Sequence, residues 1–430
     1  MITDAAQRKA PVSSETPLPI SVRTRVRTAE ELSDYLLQLG ELLLRYGCPA
    51  YRVENLIRVV AELERHEAES FALPTALFVT VAPRGAEPVA PVHRMARVQS
   101  WGIDLDRLLT VDHIFNEVAA GRRTIEEARA ELVSVETRAP AYGPSTQWLA
   151  MAAASGGAAV LFRGSGPDIA AAAFVGVAIH ALARVLGKHP QARFLLDFAG
   201  ALLASLLATV GAALFGCSRE AVLLAGMITL FPGLTFTTGL AELAQKNLVT
   251  GSARLMEATV TFVALVFGIA LSVGISRWLA IDAPSTTRTP LPLPVQGLAA
   301  IAISLALGVL FQVPRRLAWA ALVSGGAGYA ATAIAGPNLP PYASAFVAAI
   351  LVCTLANTLA RVTSRPAQLY HLPGMMLLVP GSLGFLSLEE MLKGTYEAGV
   401  EKGLMTVLIG GGLVMGVLSA NVIVPPRKLL

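Results

Sequence analysis

Leu230-Phe231-Pro232-Gly233-Leu234-Thr235-Phe236-Thr237-Thr238-Gly239 lies inside one long apolar segment, and Leu378-Val379-Pro380-Gly381-Ser382-Leu383-Gly384-Phe385 lies inside another. A Pro-Gly pair is poor material for the middle of a helix. Proline removes a backbone donor and clashes with the preceding turn, and glycine adds backbone freedom. In hydrocarbon the freed backbone groups must find partners in protein or trapped water. Two such breaks at matching places in two halves point to a solute-binding site in a membrane carrier.

The match extends beyond the pair. A shift of 148 positions puts Pro232 on Pro380, Gly233 on Gly381, Glu242 on Glu390, Gly251 on Gly399, Arg254 on Lys402 and Gly268 on Gly416. A constant offset without gaps reads as an internal repeat.

Composition sets the class. The 430 residues are 54% hydrophobic and 15% charged, with mean hydropathy +0.59. Soluble domains carry about 25% charge, so this is a membrane protein. Most of the charge sits before residue 145; the remainder is nearly continuous Ala, Leu, Val and Gly. The net charge of +4 and pI near 9.0 fit the Lys/Arg bias of membrane flanks and call for no nucleic acid. Cys48, Cys217 and Cys353 are far apart and odd in number, which suggests neither a disulfide framework nor a Cys-based metal site. Residues 1–28 lack an apolar core and read as a disordered basic tail rather than a signal peptide.

Residues 29–138 read as a small soluble α/β domain. Thr28 to Glu31 has capping-box spacing, and Leu32, Tyr35, Leu36, Leu39, Leu42 and Leu43 then form one apolar helical face ending near Gly47. A second helix follows Cys48-Pro49-Ala50. Phe71 to Ala82 and Val89 to Ser100 are rich in Val, Thr and Phe and read as strands. Leu105 to Ala120 is helical, and Thr124-Ile125-Glu126-Glu127 opens a last helix to about Glu136. Pro140-Ala141-Tyr142-Gly143-Pro144 is a linker.

From Gln147 onward ten apolar segments follow, at about 20 residues per crossing. The loop from Asp282 to Pro294 divides them into halves at 147–280 and 295–424. Five crossings is odd, so equivalent helices run in opposite directions. The expected fold is therefore a mainly α membrane protein of ten transmembrane helices, a 5+5 inverted repeat behind a small soluble α/β domain. With the soluble domain in the cytoplasm, that side receives Arg184, Lys188, Arg193, Lys246, Arg315, Arg316, Arg361, Arg365, Arg427 and Lys428. The other side receives Arg163, Arg219, Arg277, Arg288 and Lys393, so both termini are expected to be cytoplasmic.

Ionisable residues inside spans are costly and raise functional hypotheses. His180, in the second span, either titrates or only bonds a neighbouring helix. Asp197, in the third, either couples ions or pairs with Arg193 at i,i+4. Glu242 ends the broken fourth span near Lys246. Glu257, three residues past Arg254, is a carrier group or half of a local ion pair. These four are the candidates for proton coupling. Glu389 and Glu390 read as facing water. Thr235, Thr237 and Thr238 follow the first break; their hydroxyls either hold a small zwitterion or bond back to their own helix. With Pro232, Gly233, Pro380, Gly381 and Ser382 they form the expected substrate site, because half-helix N-termini favour an anionic group.

Enzyme signatures are missing from the sequence. There is no G-x-S-x-G, His66-Glu67 has no second histidine at zinc-helix spacing, and no Walker motif points to ATP. An ion gradient, most simply of protons, is the expected energy source. A membrane-tethered hydrolase in the soluble domain is the rival, although His93, His113 and Cys48 fit no catalytic constellation. No cofactor and no metal are expected. The expected partners are the bilayer, protons and a small amino acid; a homo-oligomer is compatible with the reading.

These residues resemble the threonine/serine exporter family in its fused form. The likeness is carried by Leu44-x-x-Gly47 with Tyr51-Arg52-Val53-Glu54, and by Asp106 to Asn116 followed by Gly121-x-x-Thr124-x-x-Glu127-Ala128. In the apolar region it is carried by Phe231-Pro232-Gly233, Thr237-Thr238-Gly239, Glu242, Gly251-x-x-Arg254-x-x-Glu257-Ala258 and Val379-Pro380-Gly381-Ser382-Leu383-Gly384. Relatives often carry Asn in place of Thr238 and Asp in place of Glu242. The resemblance implies a cytoplasmic domain ahead of ten spans in the inner membrane, exporting small hydroxylated amino acids on the proton gradient. A similar split form is associated with dicarboxylate export, so a succinate-like substrate is the alternative.

Overall fold

The computed structural model describes residues 28–85, 90–98, 102–189, 191–281 and 289–426. The expected basic tail up to residue 27, the first part of the dividing loop with Arg288, and the pair Arg427 and Lys428 lie outside these residues.

The N-terminal region that the sequence reads as soluble, hereafter the soluble region, builds from α1 (Ala29–Arg45), α2 (Ala50–Leu63), β1 (His66–Leu73), β2 (Ala76–Pro83), β3 (Val92–Arg97), α3 (Leu105–Ala119) and α4 (Ile125–Thr137). Both expected caps form. Thr28 Oγ1 accepts from Glu31 N at 3.3 Å, and Thr124 and Glu127 bond each other's backbone reciprocally. The strands form an antiparallel sheet in the order β1-β2-β3. One expectation is corrected here. Phe71 to Ala82 is not one strand but parts of two arms, with Leu73 opposite Ala76 across Pro74-Thr75. Proline cannot donate to a ladder and presets a turn, so the chain reverses there. The lost length is made up upstream, because β1 begins at His66. Of the stretch from Val89 to Ser100, the described strand is Val92–Arg97.

The apolar region begins with α5 (Pro144–Leu161), α6 (Gly166–Leu186) and α7 (Leu196–Phe215). A broken unit follows, α8 (Arg219–Gly226) and α9 (Gly233–Ala244), and then α10 (Leu248–Trp278). The second series is α11 (Leu293–Leu310), α12 (Ala318–Ala335), α13 (Pro341–Thr363), the broken unit α14 (Gln368–Met375) and α15 (Gly381–Leu392), and α16 (Tyr396–Ile423). Seven helices among the described residues are long and apolar enough to cross a membrane: α6, α7, α10, α11, α12, α13 and α16. Three of the ten expected segments fall short of that measure. α5 starts on the polar Ser145-Thr146-Gln147, and the two broken units are split into pieces of 8 and 12 residues.

Packing follows the same order in both series. α5 packs on α6 as α11 does on α12, and α6 on α8 as α12 does on α14. α7 packs on α10 as α13 does on α16, and α9 on α10 as α15 does on α16. Small residues permit the close approach. A Cβ on Gly268 would press on Phe198 O, and one on Gly416 would press on Phe346 O, at the equivalent contact. Outward faces carry Phe174, Leu214, Phe267, Leu298, Leu351 and Leu404, an apolar exterior of the kind hydrocarbon requires.

The soluble region is welded to one end of this bundle. Val313, Leu317, Ala320, Ala356, Ala360, Leu369 and Tyr370 belong to the same core as Leu32, Tyr35 and Ile57. Leu105 N donates to Phe311 O at 2.9 Å, Tyr142 N to Gln312 Oε1 at 3.1 Å, and Arg315 Nε to Ala141 O at 3.0 Å. Thus α5 starts and α11 ends at the end that carries the soluble region. The two helices pack side by side, so they run in opposite directions.

Candidate functional site

Each broken unit stops and restarts in the same way. α8 ends at Gly226, the chain turns through Met227 to Leu230, and Pro232 caps α9 with φ −79° and ψ 33°. Pro380 caps α15 with φ −81° and ψ 37°. Proline has no N–H to leave unpaired, so it suits a helix start and would break a helix interior. Beyond it, the N–H groups of the first turn have no acceptor within their own helix.

The two starts meet. A Cβ built on Gly233 would collide with Val379 Cγ1 and stand 3.1 Å from Gly381 Cα. A Cβ on Gly381 would stand 2.9 Å from Phe231 Cβ and 3.3 Å from Gly233 Cα. Only glycine permits this backbone contact, and the neighbouring Phe231 ring packs on Phe385 with centroids 5.5 Å apart. Beside the contact is a cavity of about 190 Å³, lined by Gly233, Gly381 and Ser382, the apolar side chains of Phe231 and Val379, and others from α5 and α11. Ser382 carries the one hydroxyl in this lining. Two helix N-termini, each equivalent to roughly half a positive charge, therefore face a small, mostly apolar space.

The candidate residues do not all gather there. Pro232 and Pro380 are buried behind the contact, outside the cavity wall. Thr235 and Thr238 are half-buried on α9 and do not line it. Thr237 Oγ1 donates to Gly233 O at 2.9 Å, which is the back-bonding alternative. His180 meets the Trp148 ring edge-on at 4.8 Å, with Nε2 enclosed and without a hydrogen-bond partner among the described residues. Asp197 Oδ2 accepts from Thr261 Oγ1 at 3.3 Å, across the contact of α7 with α10. Glu257 lies on the exposed face of α10, where its charge bears on the buried Arg254. Glu242 is fully buried. Its Oε1 accepts from Ala50 N at 3.0 Å and its Oε2 from Asn247 Nδ2 at 3.0 Å. It thus caps α2, whose own cap residue Pro49 offers no side-chain acceptor. Thr250 Oγ1, donating to Ala72 O at 2.9 Å, adds a second tie to the soluble region.

The equivalent turn at the opposite end is closed differently. Glu390 Oε1 accepts from Lys402 Nζ at 2.9 Å and its Oε2 from Thr395 Oγ1 at 2.6 Å. Thr395 thus does for Glu390 what Asn247 does for Glu242. Lys246 and Gly394, one residue earlier in each turn, both hold positive φ, at 66° and 85°.

One residue of weight was not singled out from sequence, and another, Cys48, was named there only to be set aside. Asp168 is fully buried, with Oδ1 accepting from Ser218 N at 2.6 Å and Oδ2 from Ser165 N at 2.7 Å, so it ties the start of α6 to the start of α8. The Ser165-x-x-Asp168 capping spacing was the available signal. Cys48 lies beneath the cap of α2, and burial pushes its thiol up to about 12.

Residues 34–276 match the family described as "Putative threonine/serine exporter", and residues 296–423 match a second description, "Threonine/Serine exporter, ThrE". The chain belongs to the threonine/serine exporter family. That is a family of membrane exporters and not an enzyme family. A Mycobacterium tuberculosis protein named "Probable threonine/serine exporter" is 25% identical over 94% of this chain and 80% of its own length. The threonine/serine exporter of Corynebacterium glutamicum is 24% identical over 88% of this chain and 78% of its own. A pheromone-regulated membrane protein of Yarrowia lipolytica is 24% identical over 84% of this chain, which spans only 31% of that longer protein. No solved structure matches this chain.

Proposed function

We propose that this chain is a multi-pass secondary transporter of the cell inner membrane that exports threonine and serine. The observation that carries the reading is the contact of Gly233 with Gly381, which aims two half-helix N-termini at one small cavity. Those N–H groups suit the carboxylate of an amino acid, and the Ser382 hydroxyl suits a small polar side chain. A space of about 190 Å³ lies below the roughly 300–1,000 Å³ of drug-sized pockets, so the solute is small. The names of the bacterial relatives point to the same substrates.

In this reading both broken units count as spans and α5 joins them, giving ten crossings in two five-helix units of opposite direction. The matched packing and the antiparallel α5 and α11 support that count. The soluble domain and both termini are cytoplasmic, in line with Lys246, Arg315, Arg316, Arg361 and Arg365 at that end. Protons drive export, and the coupling groups come from His180, Asp197, Glu242 and Glu257. Glu242 is the only one of these on a broken unit. A dicarboxylate gains no support, because the cation it would need is spent: Lys402 is held by Glu390, and neither it nor Arg254 lines the cavity.

Uptake into everted vesicles tests the reading, with a panel of amino and dicarboxylic acids and with the proton gradient intact or collapsed. Gradient-dependent uptake of threonine and serine is expected. Uptake of succinate with no competition from threonine would overturn the substrate, and uptake indifferent to the gradient would overturn the coupling.

A further inference from the structure

Ser382 is the second residue of α15 and lines the cavity where the two breaks meet. A hydroxyl on a membrane helix ordinarily bonds back to a carbonyl one turn earlier. Thr237, inside α9, does so, and Ser387, further along α15, donates to Gly399 O at 2.6 Å. Ser382 stands where its helix begins, so no earlier turn of α15 lies behind it to offer that carbonyl. Its Oγ has no hydrogen-bond partner among the described residues, and the side chain is half-buried on the cavity wall. The Pro-Gly break thus leaves one hydroxyl unused, at the place where a solute would meet it.

No other side chain in the wall carries oxygen or nitrogen. The rest come from α5, α11 and the two breaks, among them Leu161, Leu307, Ile228 and Met376. An apolar wall discriminates weakly between a hydroxyl and the methyl group of the same shape, whereas a polar group left unpaired against the wrong solute discriminates strongly. The two halves also differ here. The 148-residue shift puts Leu234 on Ser382, and Leu234 does not line the cavity. The hydroxyl therefore comes from the second half alone, and no twin in the first half replaces it.

We propose that Ser382 is the specificity-determining residue for the solute's side chain. Its hydroxyl pairs with the solute's own, so threonine is favoured over valine and serine over 2-aminobutyrate, the isosteres in which a methyl group replaces the hydroxyl. This rests on the reading of the two breaks as the solute site. It deepens that reading, because the preference for hydroxylated solutes becomes the property of one atom in one half of the repeat. Without that atom the same cavity is a site for small aliphatic amino acids.

The test is counterflow by the full chain in proteoliposomes, with threonine, valine, serine and 2-aminobutyrate as probes and folding checked by thermal unfolding. The readout is the ratio of transport efficiencies, maximal rate over half-saturating concentration, within each isosteric pair. Ser382→Ala is expected to lower both ratios by about tenfold, through loss of threonine and serine rather than gain of their isosteres. Ser382→Thr and Ser382→Val differ from each other only in the hydroxyl, so their comparison answers the same question where Ser382→Ala does not fold; the threonine variant is expected to keep the higher ratios. Ser387→Ala removes a hydroxyl already bonded to Gly399 O and is expected to leave both ratios unchanged. Ratios that stay constant in Ser382→Ala, in a wild type that moves threonine, would overturn the proposal and leave the solute site standing. So would a wild type with no preference within either pair. An equal loss for all four solutes would overturn it too, since the hydroxyl would then hold the carboxylate they share. A wild type that moves none of the four would overturn the functional reading and this proposal with it.

Discussion

The two broken units are built alike and closed unlike. Each has an 8-residue half, a Pro-Gly restart and a 12-residue half that ends in a glutamate and a positive-φ turn. At one end Glu242 is fully buried and caps a helix of the soluble region. At the other Glu390, its side chain 22% exposed, is held by Lys402 and Thr395 within its own half. Where the two units touch, at Gly233 and Gly381, they are equivalent; where they end, they are not. On the proposed reading, the matched contact forms the site, and the unlike ends give the two sides of the carrier different closures.

The largest expected effect breaks the equivalence at the centre. Gly233→Val or Gly381→Val inserts carbon where backbone meets backbone, so threonine efflux should fall to background and stability by about 3 kcal/mol. Gly411→Val, where a Cβ meets nothing within 4 Å, should change neither in the same efflux and melting assays.

Next comes the contrast of the ends. Glu242→Ala strands Ala50 N–H and the Asn247 amide in a closed interface, at a cost of about 2–3 kcal/mol in denaturant titration. Protease should then cut more readily at Pro140 to Gly143. Glu390→Ala removes a partly exposed ion pair, and its loss should stay under about 1 kcal/mol. Equal costs would mean that the soluble region is not latched by Glu242.

Cys48 reports the same latch by chemistry. Burial pushes its thiol up to about 12, so the reactive thiolate is scarce at neutral pH. Alkylation of the folded chain should be slow at pH 7 and climb about tenfold per pH unit through pH 10 without levelling, because the group titrates only above that range. Glu242→Ala should speed labelling at every pH, read by mass spectrometry.

The smallest effect concerns the turns. Lys246 holds a left-handed conformation that Gly394 adopts without strain in the equivalent turn. Lys246→Gly should stabilise by up to about 1 kcal/mol and Gly394→Ala should cost about as much, both measured by thermal unfolding.

What could be read in advance follows the range of the chemistry. The Pro-Gly breaks, the 148-residue offset and the Thr-x-x-Glu caps act within a few residues, and the helices start and stop where they say. The hairpin at Pro74-Thr75 was also local, but its strand Val-Thr content spoke louder than its proline. The partner of Glu242 lies 192 residues away in another region, and no spacing announces a side chain that caps a remote helix. Thr237 was read both ways from sequence, and of the two alternatives the bond back to its own turn is the one that forms.

The central claim is that the meeting point of the two breaks holds the solute. Ser382→Cys puts a thiol on the cavity wall, while Cys48, Cys217 and Cys353 are buried and form a quiet background. Labelling of the introduced thiol in proteoliposomes, with and without threonine, asks the question directly. Threonine and serine should protect it in proportion to their transport, and a bulky apolar amino acid should not. Labelling that proceeds at one rate whatever amino acid is present, in a variant that still exports threonine, would place the solute elsewhere.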